Sequence, residues 1–189
     1  MPGIQKPLDM AKNFISDVIS KGDTAVDATA GNGNDTLFLS RIVGEEGKVY
    51  AFDIQEKAIR KTSWLLGNEN VKERVKLFSC GHEEIVRYLE EEISAAMFNL
   101  GYLPGGDHSI ITKPETTLKA VENVLEYLLP GGIVTIVMYS GHEGGKEEKG
   151  ALLHYCQSLS QLKFTTLLYE IINQVNQPPS LLVIEKLRN

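Results

Sequence analysis

The stretch from Val26 to Thr36 combines the residue types that cradle a nucleotide-like ligand. It starts as a short apolar strand, passes through a loop that contains Gly31 and Gly33, and opens directly into an apolar helix. Glycines let a backbone turn sharply and approach a ligand closely, and a helix N-terminus presents free N–H groups to it. The stretch therefore predicts a strand–loop–helix ligand site, although a tight turn without a ligand has the same local pattern.

The carboxylate of Asp27 indicates the charge of that ligand. The dinucleotide fingerprint G-x-G-x-x-G needs a third glycine where this chain has Thr36, and an acid beside the loop would repel a pyrophosphate. An acid favours a cation, and S-adenosylmethionine (SAM) carries an ammonium and a sulfonium. The loop is similar to the acid-x-Gly-x-Gly-x-Gly loop of SAM methyltransferases, with Thr29 in place of the first glycine. The cofactor contacts predicted here are Asp27, Thr29, Gly31, Asn32, Gly33, Asn34, Asp35 and Thr36.

Two further predicted strands end in groups that suit the sugar and base of such a cofactor. Asp53 lies about 20 residues after Gly33, which is the spacing of the acid that binds ribose hydroxyls in doubly wound folds. Its alternative role is to cap the helix that follows. The third strand, 75–79, ends before a loop placed to reach the adenine, and the same loop residues could instead cap a helix that runs through Leu89. The contacts predicted at these two ends are Asp53, Ile54, Gln55, Gly81, His82 and Glu83.

The fourth predicted strand, 93–98, leads into a loop whose residue types are suited to catalysis. Asn99-Leu-Gly-Tyr102 resembles the Asn/Asp-Pro-Pro-Tyr loop of methyltransferases that act on exocyclic amines of nucleic-acid bases. The Asn99 side-chain oxygen and the Leu100 carbonyl could accept amine hydrogens, and Tyr102 could stack on a base. Asn99 could alternatively cap local backbone. His108 and His142, with a pKa near 6.5, are candidate bases or ordinary exposed side chains.

The elements that must position these groups alternate along the chain. Five strand–helix units followed by two strands predict an α/β, doubly wound, mostly parallel seven-stranded sheet with helices on both faces. Residues 1–22 predict a cap helix over the sheet edge or the cofactor mouth, or a simple packing helix. Thr112–Glu115 predicts a capping box, Pro130–Gly132 a helix end, and strands 164–172 and 181–187 an edge hairpin with one antiparallel strand. At 189 residues we expect one domain, 1–189.

Composition narrows the classes of protein. The chain is 42% hydrophobic but lacks an apolar run near the roughly 20 residues of a membrane span. Cys80 and Cys156 have no metal-site spacing, so we expect no metal, reduced thiols and a cytoplasmic location. The net charge of -6 argues against a strongly electropositive nucleic-acid binder, without excluding a local basic rim.

Several segments together resemble the bacterial "putative rRNA methylase" family. They are DATAGNGNDTLFL from Asp27 to Leu39, FDIQ at 52–55, NLGYLPGGD at 99–107, TKPETT at 112–117 and GHEGG at 141–145. The resemblance covers nearly the whole chain and implies a Rossmann-like class I SAM methyltransferase fold. It implies methyl transfer from SAM, with S-adenosylhomocysteine (SAH) as product, to the aminomethyl group of a wobble 2-thiouridine in tRNA, and a homodimer. Lysine is common in the family where this chain has His108, so an RNA phosphate contact there would be weaker and pH-dependent.

Five functions can be compared on these patterns. The leading hypothesis is a SAM-dependent RNA N-methyltransferase acting in the tRNA anticodon region, and the alternative within the same class is an rRNA methyltransferase. The acidic balance favours a third, a small-molecule N-methyltransferase. A protein that only binds SAM is disfavoured by the intact Asn99 loop, and a nicotinamide-dependent oxidoreductase by Thr36 and Asp27.

Overall fold

Seven strands form one sheet in the computed structural model of the chain, which describes residues 3–103, 105, 110–175 and 178–188. The strands are β1 Thr24–Asp27, β2 Lys48–Phe52, β3 Val75–Phe78, β4 Ile93–Asn99, β5 Leu128–Met138, β6 Phe164–Tyr169 and β7 Ser180–Lys186. The α-helices are α1 Pro7–Val18, α2 Asn34–Ile42, α3 Glu56–Asn68, α4 Pro114–Tyr127 and α5 Gly145–Ser158. Short 3-10 helices span Lys72–Arg74 and His82–Arg87.

The strand order is β3-β2-β1-β4-β5-β7-β6, which confirms the predicted doubly wound sheet. Strands β1 to β5 are parallel, whereas β7 runs antiparallel to both β5 and β6. After β3 the chain crosses back, and β4 lies on the opposite side of β1 from β2. The direction in which strands are added to the sheet therefore reverses between β1 and β4. Ligands of open α/β sheets bind at such a reversal, outside the carboxyl ends of the strands.

Apolar side chains of the central strands alternate between the two faces of the sheet, as strand geometry requires. Ala95 and Met97 of β4 belong to a core that also holds Ala11 of α1 and Leu39 of α2. Their neighbours Ala96 and Phe98 belong to the opposite core, which includes residues of α4 and α5 such as Val121 and Leu152. Helices therefore cover both faces, and the buried strands hold the loops at their carboxyl ends in fixed positions.

The prediction that a capping box begins helix α4 is wrong. Lys113 occupies the N-cap position without a side-chain bond, and Pro114 opens the helix. Thr112 lies one residue too early to cap, and its hydroxyl accepts a hydrogen bond from the Gly101 N–H (2.9 Å) and donates one to Glu148 (2.7 Å). Long-range partners thus compete successfully for a hydroxyl that the local sequence assigned to the helix.

Three other predicted boundaries differ from the structure. Pro130–Gly132 lies inside β5 and does not end the preceding helix, because Leu128 already pairs with Ile93 across a register shift. The segment after β3 is a 3-10 helix and not an α-helix. Strand β6 ends at Tyr169, before the predicted end at residue 172.

None of the described helices is long and apolar enough to cross a membrane.

Candidate active site

A cavity of about 1120 Å³ opens at the carboxyl ends of the central strands, where the strand order reverses. Its walls come from the loops after β1, β2, β3, β4 and β5 and from helix α1. Cofactor and drug-sized ligands occupy roughly 300–1000 Å³, so this cavity has room for a cofactor and part of a second molecule. The predicted convergence of the unusual loops at one sheet edge therefore forms the walls of an open cavity.

Most of the predicted site residues line this cavity. They are Thr29, Gly31, Asn32, Asn34, Asp35, Asp53, Ile54, Gln55, Gly81, His82, Glu83, Asn99, Leu100, Tyr102 and His142. Asp27, Gly33 and Thr36 are not among the lining residues. His108, the other candidate base, lies outside the described residues.

Asp27 lies behind the glycine loop and is fully buried. Its two oxygens accept hydrogen bonds from the Thr29 N–H (3.1 Å) and the Thr36 hydroxyl (2.6 Å). Burial, followed by the negative charge of Asp35, raises the pKa of Asp27 to about 7. The predicted direct contact with a cationic ligand is therefore corrected: Asp27 is buried away from the cavity lining, and its carboxyl group bonds and shapes the loop from behind.

Gly33 forms the sharp entry to α2. It is the N-cap residue, with a φ of 86°, and a Cβ there would lie 2.9 Å from the Thr62 hydroxyl oxygen. The Thr62 hydroxyl in turn donates to the Gly31 carbonyl at 3.2 Å. Helix α3 thus packs directly against the loop, which only a glycine at this position permits.

Thr29 connects the first loop to the fourth. Its hydroxyl oxygen accepts a hydrogen bond from the Asn99 backbone N–H at 2.7 Å. The SAM-methyltransferase pattern has a glycine at this position. The threonine found here supplies a hydroxyl that fixes the end of β4 relative to the loop. This role was not visible in the sequence, since 70 residues separate the two partners.

Asp53 is partly buried at the end of β2. One oxygen accepts from the Gly31 N–H at 2.9 Å and the other from the Gln55 N–H at 2.8 Å. Burial raises the pKa of Asp53 although both hydrogen bonds oppose that shift. A carboxylate oxygen has two lone pairs, so each can also accept a hydroxyl from the cavity side.

Asn99 ends β4 with its side chain at the cavity wall. Its Nδ2 donates to the carboxylate of Asp35, which also forms an ion pair with Lys12 at 3.0 Å. Its Oδ1 is buried and has no hydrogen-bond partner among the described residues. A buried acceptor without a partner costs about 1–3 kcal/mol, so this oxygen is positioned to receive a donor from a ligand.

His142 offers a second buried acceptor without a partner. Its Nδ1 lies 2.8 Å from the Glu143 carbonyl oxygen, which can only accept, so Nδ1 carries the hydrogen. In the neutral ring Nε2 then has a free lone pair, and it has no partner within the described part of the chain. The ring lies edge-to-face with Tyr102 at 6.1 Å between centroids. Two of the predicted catalytic side chains are therefore in direct contact.

His82 is tied into the protein interior and forms part of the cavity wall. Burial lowers its pKa, and the ring bonds the backbone of Ala28. Its Nε2 lies 3.3 Å from the Thr117 hydroxyl oxygen, which donates to the buried Glu148 at 2.6 Å. Glu148 was missed by sequence reasoning, because a glutamate in the first turn of a helix usually faces solvent. The network joins the third loop to α4 and α5.

Other lining residues were also missed, among them Leu8, Phe38 and Tyr139. Tyr139 directly follows β5, a position at the ligand-binding edge that could have identified it, and burial raises its pKa. Helix α1 satisfies both of its predicted roles: Ala11 and Ile15 pack on the sheet, whereas Leu8 and Lys12 line the cavity.

Residues 49–185 of the chain match the family described as "Putative rRNA methylase". The chain belongs to this family. It is 46% identical over 156 residues to the "tRNA (mnm(5)s(2)U34)-methyltransferase, chloroplastic" of Arabidopsis thaliana, which covers 77% of this chain. The chain spans only 57% of the length of that relative.

Two solved structures match the whole fold. A crystal structure of a "putative rRNA-methylase" from Clostridium thermocellum has a TM-score of 0.97 and 46% identity, covering 98% of this chain and 100% of its own. A "putative methyltransferase" from Streptococcus mutans in complex with SAH has a TM-score of 0.90 and 46% identity, with the same coverage. By family and fold, the chain is therefore related to SAM-dependent methyltransferases.

Proposed function

We propose that the chain transfers the methyl group of SAM to an amine nitrogen of RNA, namely the aminomethyl group of a wobble 2-thiouridine in tRNA. The observation that carries this proposal is the buried Asn99 Oδ1, which has no partner among the described residues and lies at a cavity wall that Tyr102 also lines. It supplies an acceptor for an N–H group of the nucleophile, which would aim the nitrogen lone pair at the methyl group. The family match and the name of the Arabidopsis relative support the choice of tRNA.

In the proposed cofactor pose, the ribose hydroxyls bind Asp53 and the adenine lies between Ile54 and the Gly81–Glu83 loop. The glycine loop approaches the amino-acid end, and Asp35 is the nearest carboxylate that faces the cavity there. Asp27 contributes by shaping the loop and not by contact. The sulfonium then lies near Asn99, in a cavity whose described acidic lining residues are Asp35, Asp53 and Glu83.

The reaction needs alignment more than chemical activation. The amine nitrogen forms a bond to the methyl carbon while the carbon–sulfur bond breaks and its electron pair returns to sulfur. Holding nucleophile and methyl in line contributes up to roughly 7–11 kcal/mol in ideal cases. Asn99 Oδ1 and the Leu100 carbonyl orient the amine by accepting its hydrogens, and Tyr102 stacks on the base.

The aminomethyl group must lose a proton before transfer, because only a neutral amine is a nucleophile. We assign His142 Nε2 as the base that accepts this proton. This atom is the acceptor left free by the Nδ1 bond to Glu143. His142→Gln keeps hydrogen-bonding capacity but cannot take up a proton near neutral pH. We expect kcat to fall at least tenfold while the SAM Kd stays unchanged. A variant with the wild-type kcat would show that water removes the proton.

Mass spectrometry of nucleosides tests the substrate directly. Labelled SAM is incubated with total RNA that contains 5-aminomethyl-2-thiouridine, and with the same RNA lacking that nucleoside. We expect the label on the aminomethyl nucleoside of the first sample alone. Label on rRNA would favour the rRNA methyltransferase, and label on a small metabolite with none on RNA would favour the third function.

Two variants separate cofactor binding from transfer. Asn99→Ala is expected to leave the SAM Kd within about twofold and to slow transfer about 100-fold, because it removes an acceptor that orients the nucleophile. Asp53→Ala is expected to raise the SAM Kd at least tenfold while transfer at saturating SAM stays close to wild type. Calorimetry and single-turnover kinetics give the two quantities. Equal loss of both in the Asn99 variant would contradict its assigned role.

The family resemblance also implies a homodimer, and we retain it as a proposal. Sedimentation velocity of the purified chain tests it, and a monomer at micromolar concentration would overturn it.

A further inference from the structure

The outer face of helix α3 carries a basic and aromatic stripe that the reaction chemistry does not use. Lys57, Arg60, Lys61 and Trp64 are spaced by three and four residues, so they lie on one side of the helix, and all are exposed. Trp64 is the only tryptophan of the chain and is 69% exposed. Glu56 is the sole acid within the helix and is paired with Arg60 at 3.3 Å. This stripe is positive on a chain whose net charge is -6.

The stripe begins at the mouth of the cavity. Lys61 Nζ donates to the side-chain oxygen of Asn32 (2.8 Å) and Lys57 Nζ to the carbonyl of Gly105 (3.5 Å), in the loop that follows β4. Ile54, just before α3, lines the cavity and is 63% exposed. A large methyl acceptor that reaches Asn99 must therefore pass beside this face.

We propose that the stripe formed by Lys57, Arg60, Lys61 and Trp64 is a docking surface for the single-stranded loop of the RNA substrate. The cations contact phosphates, and Trp64 stacks on an unpaired base next to the one that is methylated. From Lys57 to Trp64 the helix rises about 10 Å. That length matches about three nucleotides of a stacked strand, which rises about 3.4 Å per nucleotide along its axis. The proposal rests on the proposed function and extends it to a part of the substrate outside the cavity.

A second copy of the chain fits this face less well than RNA. The cores of protein–protein interfaces are depleted in lysine, whereas surfaces for single-stranded nucleic acid combine cations that follow the backbone with aromatic stacking platforms. The four residues of the stripe, three cations and one tryptophan, have that combination.

Kinetics with an anticodon stem–loop that carries 5-aminomethyl-2-thiouridine test the surface. Trp64→Ala is expected to raise KM for the stem–loop about tenfold with kcat and the SAM Kd unchanged, and Trp64→Phe to restore most of the affinity. Lys57→Ala with Lys61→Ala is expected to raise KM and to reduce the slope of log K against log salt by about 1.4. The matched controls, Leu162→Ala and Lys119→Ala with Lys163→Ala, change exposed residues outside α3 and should behave as wild type.

Two results overturn the docking surface alone. The first is wild-type KM in both the tryptophan and the lysine variants while the wild-type enzyme methylates the stem–loop. The second is loss of a dimer in Trp64→Ala by sedimentation, which would assign the face to a second copy. A wild-type protein that binds SAM but methylates no RNA overturns the proposed function, and this inference with it.

Discussion

At the scale of single residues, the central finding is that the carboxylates near the glycine loop have different roles. Asp27 is buried and bonded to the loop, whereas Asp35 and Asp53 face the cavity. A sequence shows that an acid follows β1, but not which way its oxygens point. The orientation of the Asp27 carboxyl group depends on the Thr36 hydroxyl, which donates to it. Thr36 lies in the first turn of α2, and the loop itself positions this helix. This is why the predicted contact of Asp27 with the cofactor required correction.

The raised pKa of Asp27 predicts a characteristic pH dependence of stability. Its folded pKa of about 7 exceeds the ordinary value of 3.8, so between these pH values the folded protein retains a proton that the unfolded chain has released. The free energy of unfolding therefore falls as pH rises through this window, by on the order of 4 kcal/mol from this group. Asp27→Asn cannot ionise, and we expect this decline to be absent from its curve.

Urea unfolding between pH 4 and 7.5 measures this effect as the difference between variant and wild type. Other groups titrate in both proteins and cancel in that difference. Asp17→Asn, at an exposed position of α1, is the control and should keep the wild-type decline. If the Asp27 variant declines in parallel with wild type, the carboxyl is ionised in the folded protein and the interpretation fails.

At the scale of elements, the sequence predicted what local periodicity controls. Strands β1 to β5 and the helices between them follow from apolar runs and from turn residues, and all were found near their predicted positions. The errors occur where a distant partner decides the structure. Thr112 bonds Glu148 instead of capping α4, and Leu128 pairs with Ile93, so α4 ends before the predicted Pro130–Gly132. Neither partner lies within the window that a local pattern covers.

The junction of the glycine loop with α3 gives a prediction at this scale. Gly33 has a φ of 86° and Gly22 a φ of 92°, but an added Cβ would lie 3.1 Å from the Thr62 Cα at Gly33 and within 4 Å of nothing at Gly22. Alanine at either position is strained by about 1–2 kcal/mol. Gly33→Ala should lose about 1–3 kcal/mol more, since the backbone of α3 must move. Urea unfolding of the two variants measures the difference, and equal losses would show that α3 yields without cost.

At the scale of the whole molecule, the parallel sheet brings distant segments to one edge. Thr29 and Asn99, or Asp53 and Gly31, are far apart in sequence and adjacent in the folded chain. A sequence with five strand–helix units predicts this convergence, because every parallel strand ends on the same side. It does not predict the part of the wall that Tyr139 supplies, and the exact place of α1 at the cavity depends on how this helix packs across β4, β5 and β7.

Because the cavity walls come from loops along most of the chain, a cofactor bound there should stabilise the whole fold. A ligand at 100 times its Kd that binds only the folded state adds about 2.7 kcal/mol to the free energy of unfolding. For a domain of this size that corresponds to a rise in Tm of roughly 5–10 °C. We expect this rise with SAM and with SAH, and none with NAD, whose pyrophosphate would meet the negative charge of Asp35. Thermal unfolding with each ligand measures it, and Asp53→Ala should reduce the rise at the same SAM concentration. A rise with NAD and none with SAM would contradict both the assignment of the cavity and the role of its acidic wall.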